Sequence, residues 1–177
     1  MKATGIVRRV DDLGRVVIPK EIRKTLLIKE GSPLEIYTEE GGCVVFKKYS
    51  AMEDLMPLSR ALADVLFRYC GVPVAIADTS KVLVTAGAGE KIAGRQLSEG
   101  YANAMEHRGP FVGGGEQLFL LEGKEQSVAA AAPILVNGDL MGSVAALFPA
   151  QKGTTFSASV SVLVRLAADL TAKHLEC

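Results

Sequence analysis

Positively charged side chains are concentrated at the amino end of this 177-residue chain. Residues 1–29 carry eight Lys or Arg against three Asp or Glu, a net charge of +5. The basic residues of this segment are Lys2, Arg8, Arg9, Arg15, Lys20, Arg23, Lys24 and Lys29. Guanidinium and ammonium groups at this density favour a polyanion as partner, because each can neutralise a phosphate.

The overall formal charge of zero hides this asymmetry. Residues 1–50, which we call the head, carry ten basic and seven acidic side chains, a net of +3. The rest of the chain carries ten and thirteen, a net of −3. A basic head joined to an acidic remainder predicts that the polyanion binds the head.

Groups that could perform covalent or acid–base chemistry are sparse. The two histidines, His107 and His174, show no nucleophile–base arrangement, and no Gly-x-Ser-x-Gly sequence occurs. No Cys/His spacing fits a zinc site. Cys70 is predicted to be a small buried side chain, with a redox-sensing thiol as the alternative. We therefore predict no enzyme activity, no catalytic residue, no metal and no cofactor.

Two glycine-rich segments invite a phosphate-binding interpretation. Residues 87–94 follow a predicted strand, but their glycines fit neither Gly-x-Gly-x-x-Gly nor the nucleotide-triphosphate pattern that ends in Gly-Lys-Ser/Thr. A surface loop is the favoured interpretation of this segment and of residues 113–115. Neither segment identifies a cofactor-binding residue.

The composition is that of a soluble globular protein, with 49% hydrophobic and 23% charged residues. Apolar runs such as residues 128–136 are shorter than the roughly 20 residues that span a bilayer. Arg8 and Arg9 precede any apolar block, which argues against a secretory signal, and three scattered cysteines argue against a disulfide framework. We expect a cytoplasmic protein with no membrane partner.

The apolar pattern of the head predicts the elements that position its basic side chains. The predicted order is strand, turn, strand, helix, strand and strand, over residues 4–10, 11–14, 15–18, 20–27, 34–38 and 43–48. In the helix, Ile22 and Leu26 are one turn apart and predicted to be buried. Lys20, Arg23 and Lys24 share another face of the helix.

A head of about 50 residues buries too little apolar surface for comfortable stability alone. The usual remedies are disulfides, metals or oligomerisation, and the first two lack their cysteine and histidine patterns here. We therefore infer an obligate dimer in which strands of two chains interleave to complete one sheet.

The stretch Thr4–Leu26, with its run Gly14-Arg-Val-Val-Ile-Pro19, closely resembles the DNA-binding domain of the AbrB family of transition-state regulators. The resemblance continues through Leu34–Tyr37 and Phe46–Tyr49. It implies a β-rich swapped-hairpin dimer whose strand and helix arginines face double-stranded DNA.

Carried over by position, the resemblance implies four DNA-binding residues: Arg8, Arg15, Arg23 and Lys24. Nearby Arg9, Lys20 and Lys2 are secondary candidates. The family often has arginine at the position of Lys24; lysine keeps the charge for phosphate but lacks the planar, two-toothed contact with guanine. Base reading by Lys24 is therefore not expected.

The expected mode of DNA binding follows from this charge. About four strong cations in each protomer of a dimer would give six to eight phosphate contacts, so log affinity should fall with log salt at a slope on the order of −5 to −7. One short helix between strands leaves no room for a helix-turn-helix pair. We hypothesise that part of the specificity comes from DNA shape and bendability.

The junction after the head is predicted to be short. Ser50–Glu53 matches a capping box, and Pro57 suits the start of a new helix. We therefore predict residues 51–56 as a compact linker and a helix over residues 57–70 at the start of a second domain, residues 57–177, which we call the body. The apolar seam of this helix comprises Leu55, Leu58, Leu62, Val65 and Tyr69.

The body is predicted to be an α+β domain with an antiparallel sheet and flanking helices. Its strands are expected over 72–77, 81–85, 111–112, 118–121, 127–136 and 140–148, with a helix over 95–107. Asn137-Gly138 predicts a tight hairpin between the last two strands. A carboxyl-terminal helix is predicted from an apolar seam of Phe156, Val160, Leu163, Ala167, Leu170 and His174. The seam predicts packing, not chemistry, for His174.

The order of these elements is similar to that of GAF domains. That resemblance implies that the terminal helices of neighbouring chains pack together, giving a tetramer from two head dimers. If a small-molecule effector binds, this fold class places it between the sheet and the segment 95–117.

The favoured function is a DNA-binding transcription regulator of the transition-state and sporulation type. An antitoxin-like interaction protein is the alternative, because related heads occur in toxin-neutralising proteins. Such antitoxins usually carry a short disordered acidic tail, whereas residues 56–177 are patterned for a folded core. A GAF-type enzyme with a DNA anchor is a third class, disfavoured by the absence of a catalytic constellation.

Overall fold

The computed structural model describes residues 4–26, 28, 30–88, 92–113, 117–123, 125–148 and 158–176. The chain divides into two compact units, Met1–Tyr49 and Ser50–Cys177. Predictions that concern Lys2, Phe156, parts of the two glycine-rich segments and the end of the first predicted helix lie outside the described residues.

The first unit contains one short helix and one β-hairpin. These elements are α1 (Lys20–Thr25), β1 (Leu34–Glu39) and β2 (Cys43–Lys48). The helix begins directly after Pro19, as predicted, because a proline needs no hydrogen-bond acceptor at a helix start. It ends two residues earlier than expected, at Thr25. The two strands are antiparallel, with Ile36 opposite Phe46.

The strands predicted over residues 4–10 and 15–18 are not strands within the single chain. The turn between them does form: the Asp11 N–H donates to the Arg15 carbonyl at 3.0 Å, and the Gly14 N–H donates to the Asp11 carbonyl at 3.0 Å. A strand must pair its backbone groups with a neighbour, and no described strand of the same chain pairs with these segments. The prediction was therefore wrong for one chain taken alone.

The first unit has almost no core of its own. Among its described residues Pro19 alone is buried. Ile22 is half-buried, but Leu26, predicted to be buried beside it, is 52% exposed. The predicted burial of Leu26 is therefore wrong for a single chain, because the described structure places no layer over it.

The predicted linker is a helical turn packed into the second unit. This turn, α2, spans Ala51–Asp54. The side chain of Met52 is 0% exposed, and the Lys81 Nζ donates to Glu53 Oε1 at 2.7 Å. The predicted capping box is wrong, because the Ser50 Oγ has no hydrogen-bond partner and the turn closes instead on the Ser50 carbonyl.

The remaining elements of the second unit form an antiparallel sheet between helices. In chain order they are α3 (Met56–Cys70), β3 (Val74–Asp78), β4 (Val82–Ala86), α4 (Glu99–Glu106), β5 (Phe111–Val112), β6 (Phe119–Leu121), β7 (Glu125–Val136), β8 (Asp139–Leu147) and α5 (Ala158–Leu175). The strand order is β4-β3-β8-β7-β5, and β6 also pairs with β7. The predicted α+β class with an antiparallel sheet is therefore confirmed.

Local sequence explains two of these boundaries. Asn137 and Gly138 have φ values of 50° and 86°, which is the left-handed backbone of the two-residue turn predicted for the β7–β8 hairpin. Helix α4 begins later than predicted, because the Ser98 Oγ accepts the Tyr101 N–H at 3.0 Å and caps the helix there. Residues 96 and 97 make strand bridges instead of helix.

The sheet separates two apolar layers. Helices α3 and α5 cover one face, and α4 with its flanking segments covers the other. The predicted seam of α5 is partly wrong: Val160 and Ala167 are buried, but Leu170 is 56% exposed and His174 is exposed. A seam with a 3.5-residue repeat drifts around a straight helix of 3.6 residues per turn, so its later members leave the sheet.

Candidate nucleic-acid interface

The basic residues predicted to bind DNA lie on the surface of the first unit. Six of the seven candidates are described, and all six are exposed; they are Arg8, Arg9, Arg15, Lys20, Arg23 and Lys24. Two precede the Asp11–Gly14 turn, one follows it, and three lie on α1. Exposed cations on two neighbouring segments of one small unit provide a surface suited to phosphate contacts.

The side chain of Arg15 is held by a carboxylate. Asp11 Oδ2 accepts the Arg15 Nε–H at 2.7 Å. Asp11 Oδ1 accepts two backbone N–H groups, from Leu13 at 3.1 Å and from Arg15 at 2.8 Å. The carboxylate therefore closes the turn and fixes the guanidinium with the same group.

These hydrogen bonds keep Asp11 ionised. Donation from the Arg15 backbone N–H, then from its side chain and from the Leu13 N–H, lowers the pKa of Asp11 below its ordinary value of 3.8. Because the folded pKa is depressed, the stabilisation is complete above the unfolded pKa and is lost as pH falls through the folded value. The turn is therefore locked throughout the neutral range.

Helix α1 carries the other cations in a favourable position. Arg23 and Lys24 lie in its last turn, where the helix dipole favours positive charge. The Arg23 N–H donates to the Pro19 carbonyl at 2.9 Å, and the Thr25 Oγ donates to the Glu21 carbonyl at 2.9 Å. No residue of α1 is buried, so packing within one chain does little to hold this six-residue helix.

An apolar groove lies between the end of α1 and the β1–β2 hairpin. Its volume is about 460 Å³. The apolar part of its lining is Leu26, Ile28, Tyr37, Val45 and Phe46. A groove of this kind in a unit with one described buried residue marks surface that requires a covering partner.

The body region in which an effector was predicted is filled by side chains in its described part. Tyr101, Leu120 and Leu121 are at most 1% exposed and belong to the apolar layer between the sheet and α4. The Tyr101 hydroxyl donates to the Ser143 Oγ at 2.9 Å, and burial raises the pKa of Tyr101 far above its ordinary range. The effector stays a prediction.

The remaining candidate chemistry is weak. Cys70 is half-buried, and burial raises the pKa of its thiol, which lowers the thiolate fraction that a redox sensor needs. Within the described ranges, no group of three or more His, Cys, Asp or Glu is placed to hold a metal ion. No described helix is long and apolar enough to cross a bilayer.

Sequence reasoning missed the role of Asp11, which it assigned only to turn formation. The available signal was the four-residue spacing from Asp11 to Arg15 across a turn that ends in glycine. It also missed Met52 as an anchor, because a single methionine in a short polar segment carries no periodicity.

Comparison with known families separates the same two parts of the chain. The family described as "Stage V sporulation protein T C-terminal, transcription factor" matches residues 54–176. The family described as "Antidote-toxin recognition MazE, bacterial antitoxin" matches residues 7–53.

Individual relatives agree with this division. Stage V sporulation protein T of Bacillus subtilis is 37% identical over 180 aligned residues, covering 99% of each chain. The transition state regulatory protein AbrB of the same organism is 59% identical over 49 residues, which cover 28% of this chain and 50% of AbrB. The GAF-B domain of DevS from Mycobacterium smegmatis matches 68% of this chain and 91% of its own, with a TM-score of 0.52 and 17% identity.

The full-length relative and the family match to residues 54–176 together cover both units of the chain. The GAF-domain neighbour confirms the predicted fold of the body, and at its level of identity it shows the fold alone. The AbrB match confirms the resemblance on which the head was interpreted. The chain therefore belongs to the stage V sporulation protein T family of transcription regulators.

Proposed function

We propose that two copies of the head intertwine and place Arg8, Arg15, Arg23 and Lys24 of each chain against duplex DNA. The observation that carries this proposal is that the first unit exposes all its described cationic candidates while burying a single described residue. A unit without a core needs a second copy, and a dense cationic surface needs a polyanion.

Exposed apolar side chains of the head support dimerisation. They occur on the segments around the first turn, where Val7 is 88% and Val17 is 70% exposed. They also occur on the hairpin, where Ile36 and Phe46 are cross-strand neighbours with 62% and 40% exposure. We infer that the partner's amino-terminal segments pair as strands and cover this apolar surface, which accounts for the failure of residues 4–10 and 15–18 to pair within one chain.

DNA binding by such a dimer is driven by release of counterions. Eight principal cations, four from each chain, are available for phosphates and bases. We expect log affinity of the full-length protein for a duplex to fall with log salt at a slope on the order of −5 to −7, as for six to eight phosphate contacts. Fluorescence anisotropy of a labelled duplex between about 50 and 300 mM salt measures this slope.

A weak slope would contradict the proposal. If the slope is shallower than about −2, at most two phosphates are neutralised, and the cations of the head do not form the interface. An uncharged labelled peptide nucleic acid duplex serves as the control, because it offers bases without phosphates and should bind poorly at every salt concentration.

We further propose that the body joins head dimers into a tetramer. Helix α3 buries Ser59, Ala63 and Leu66 against the sheet, so its apolar seam faces outward, with Val65 44% and Tyr69 76% exposed. On the outer side of α5 the exposed apolar residues are Val162, Leu166 and Leu170. These two helices contact each other, so their outward apolar residues are suited to helix–helix packing with another chain.

This assembly predicts a specific response to one substitution. Leu166→Asp places a charge where a helix of another chain would pack, so we expect a tetramer to dissociate to dimers in analytical ultracentrifugation. Affinity for a single short duplex should change by less than about threefold, because the head dimer is untouched.

The neighbouring variant Arg165→Ala provides a matched control. Arg165 is exposed on the same helix, and its truncation removes a charge without adding one, so it should leave the tetramer intact. A Leu166→Asp protein that keeps the wild-type mass at micromolar concentration would exclude this surface as the interface.

The regulator role requires no catalytic group, and we propose that the protein has none. A chromosome-binding protein of this family would work in the cytoplasm. The antitoxin alternative is not favoured, because the full-length relative covers 99% of both chains and the second unit is a folded domain. Regulation by a small molecule rests on the GAF-type fold alone.

A further inference from the structure

We infer that Asp11 is a positioning residue that makes Arg15 the guanine-reading residue of the head. This inference rests on the proposed function, in which Arg15 faces DNA. It adds a division of labour: Arg15 reads a base edge, while Arg8, Arg23 and Lys24 contact phosphates.

The first step concerns which edge of the guanidinium is available. An arginine can present the edge formed by Nε and one terminal nitrogen, or the end formed by its two terminal nitrogens. Asp11 Oδ2 accepts the Nε–H of Arg15 at 2.7 Å and so occupies the first edge. The end with both terminal nitrogens remains, and two parallel N–H donors match the O6 and N7 acceptors of guanine in the major groove.

The second step concerns how firmly the side chain is held. Surface ion pairs are usually weak, because two flexible side chains must be ordered for one contact. Here the carboxylate is already fixed, since Oδ1 accepts the backbone N–H groups of Leu13 and Arg15. The Arg15 side chain is nevertheless 68% exposed, so its free end projects into solvent from an ordered base.

The third step concerns charge. Asp11 and the adjacent Asp12 give the turn two carboxylates beside one guanidinium. Such a turn is poorly suited to a phosphate but tolerates the neutral edge of a base. Among the described residues, Arg15 is the one DNA-binding candidate with a carboxylate partner, whereas Arg23 and Lys24 lie in the last turn of α1.

The test uses guanines that lack the N7 acceptor. The full-length protein first selects its best duplex from a random pool, and each guanine of that duplex is then replaced in turn by 7-deazaguanine. We expect the wild-type protein to lose affinity on the order of 5- to 100-fold at one or more guanines, the range of a two-toothed base contact.

Asp11→Asn should abolish this sensitivity. The asparagine oxygen can still accept the turn's backbone N–H groups, but its amide nitrogen cannot accept the Arg15 Nε–H. We expect less than twofold discrimination against 7-deazaguanine, with affinity for unrelated duplexes unchanged or slightly raised by the lost negative charge. Asp12→Asn makes the same charge change at the next residue and should keep the wild-type sensitivity.

Arg15→Lys is a second variant that leaves Asp11 and the turn in place. It should lose the same guanine sensitivity while keeping the salt slope within about one unit, because the cation is retained without its fork. Guanine sensitivity retained in Asp11→Asn, or absent at every guanine in the wild-type protein, would overturn the inference. The proposed function fails separately, if an Arg15→Ala, Arg23→Ala protein binds DNA as tightly as wild type.

Discussion

The Arg15→Ala, Arg23→Ala double variant of the full-length protein is expected to bind its best duplex on the order of 10²- to 10⁴-fold more weakly than wild type at physiological salt. A dimer loses four cations through these two changes, and each charge-assisted hydrogen bond to DNA contributes on the order of 1.5–3 kcal/mol. Such losses do not add fully within one interface, which sets the upper end of the range. Fluorescence anisotropy titrations measure the effect.

The folded state should survive this double change. Both side chains are exposed, and α1 keeps its backbone hydrogen bond from Arg23 to the Pro19 carbonyl in an alanine variant. Circular dichroism and sedimentation should match the wild-type protein. Arg60→Ala, Arg108→Ala removes the same charge from two exposed sites in the body and should change affinity by less than about threefold.

Equal affinities of the double variant and the control would contradict the assignment. That result would mean that the basic surface of the head is only a solvated face of the protein. A loss in the double variant that is insensitive to salt would also contradict it, because phosphate contacts at Arg23 require counterion release.

Val17→Asp is expected to raise the dimer dissociation constant on the order of 10²-fold or more. Val17 is 70% exposed in the single chain, where a polar substitution would change stability by less than about 0.5 kcal/mol. In the proposed dimer the same side chain is covered by the partner, so the aspartate would be buried without a counterion. Analytical ultracentrifugation across a dilution series distinguishes these outcomes.

DNA binding should fall together with dimerisation, because the cations of one chain alone present half the charge. Leu166→Asp provides the reciprocal control, since its charge lies on α5 and should separate tetramers while leaving the head dimer able to bind DNA. A Val17→Asp protein with wild-type mass and affinity would show that the partner does not cover this residue.

Much of the fold could be predicted from local pattern. The hairpin at Asn137-Gly138 follows from two residues that tolerate a left-handed backbone, and both have positive φ in the structure. Helix α1 begins after Pro19 as expected, and α3 spans Met56–Cys70 against a predicted 57–70. These features depend on residues within one turn of each other, which the sequence contains directly.

Other boundaries required contacts between distant residues. Helix α4 begins at Glu99 because Ser98 caps it, and the Ser98 Oγ in turn donates to the Phe119 carbonyl at 2.6 Å, 21 residues away. The predicted linker became part of the second unit because Met52 packs into the core there. No periodicity signals either contact.

The candidate site divides in the same way. Charge counting and the AbrB resemblance identified the cations of the head as DNA-binding candidates. The resemblance carried no information on Asp11, because a carboxylate in a turn is explained by turn formation alone. The coordinates added the 2.7 Å contact between Asp11 and the Arg15 Nε, which distinguishes one arginine from the others.

The amino-acid sequence by itself determined the class of this protein: a basic head, an α+β body, and the residue types that suit a polyanion. It did so because charge density, turn residues and hydrophobic repeats are properties of neighbouring residues. Only the tertiary structure decided which apolar residues are covered within one chain and which remain exposed, as with Val17 and Tyr69. Burial depends on what packs above a residue, and that is fixed by segments far away in sequence or in another molecule.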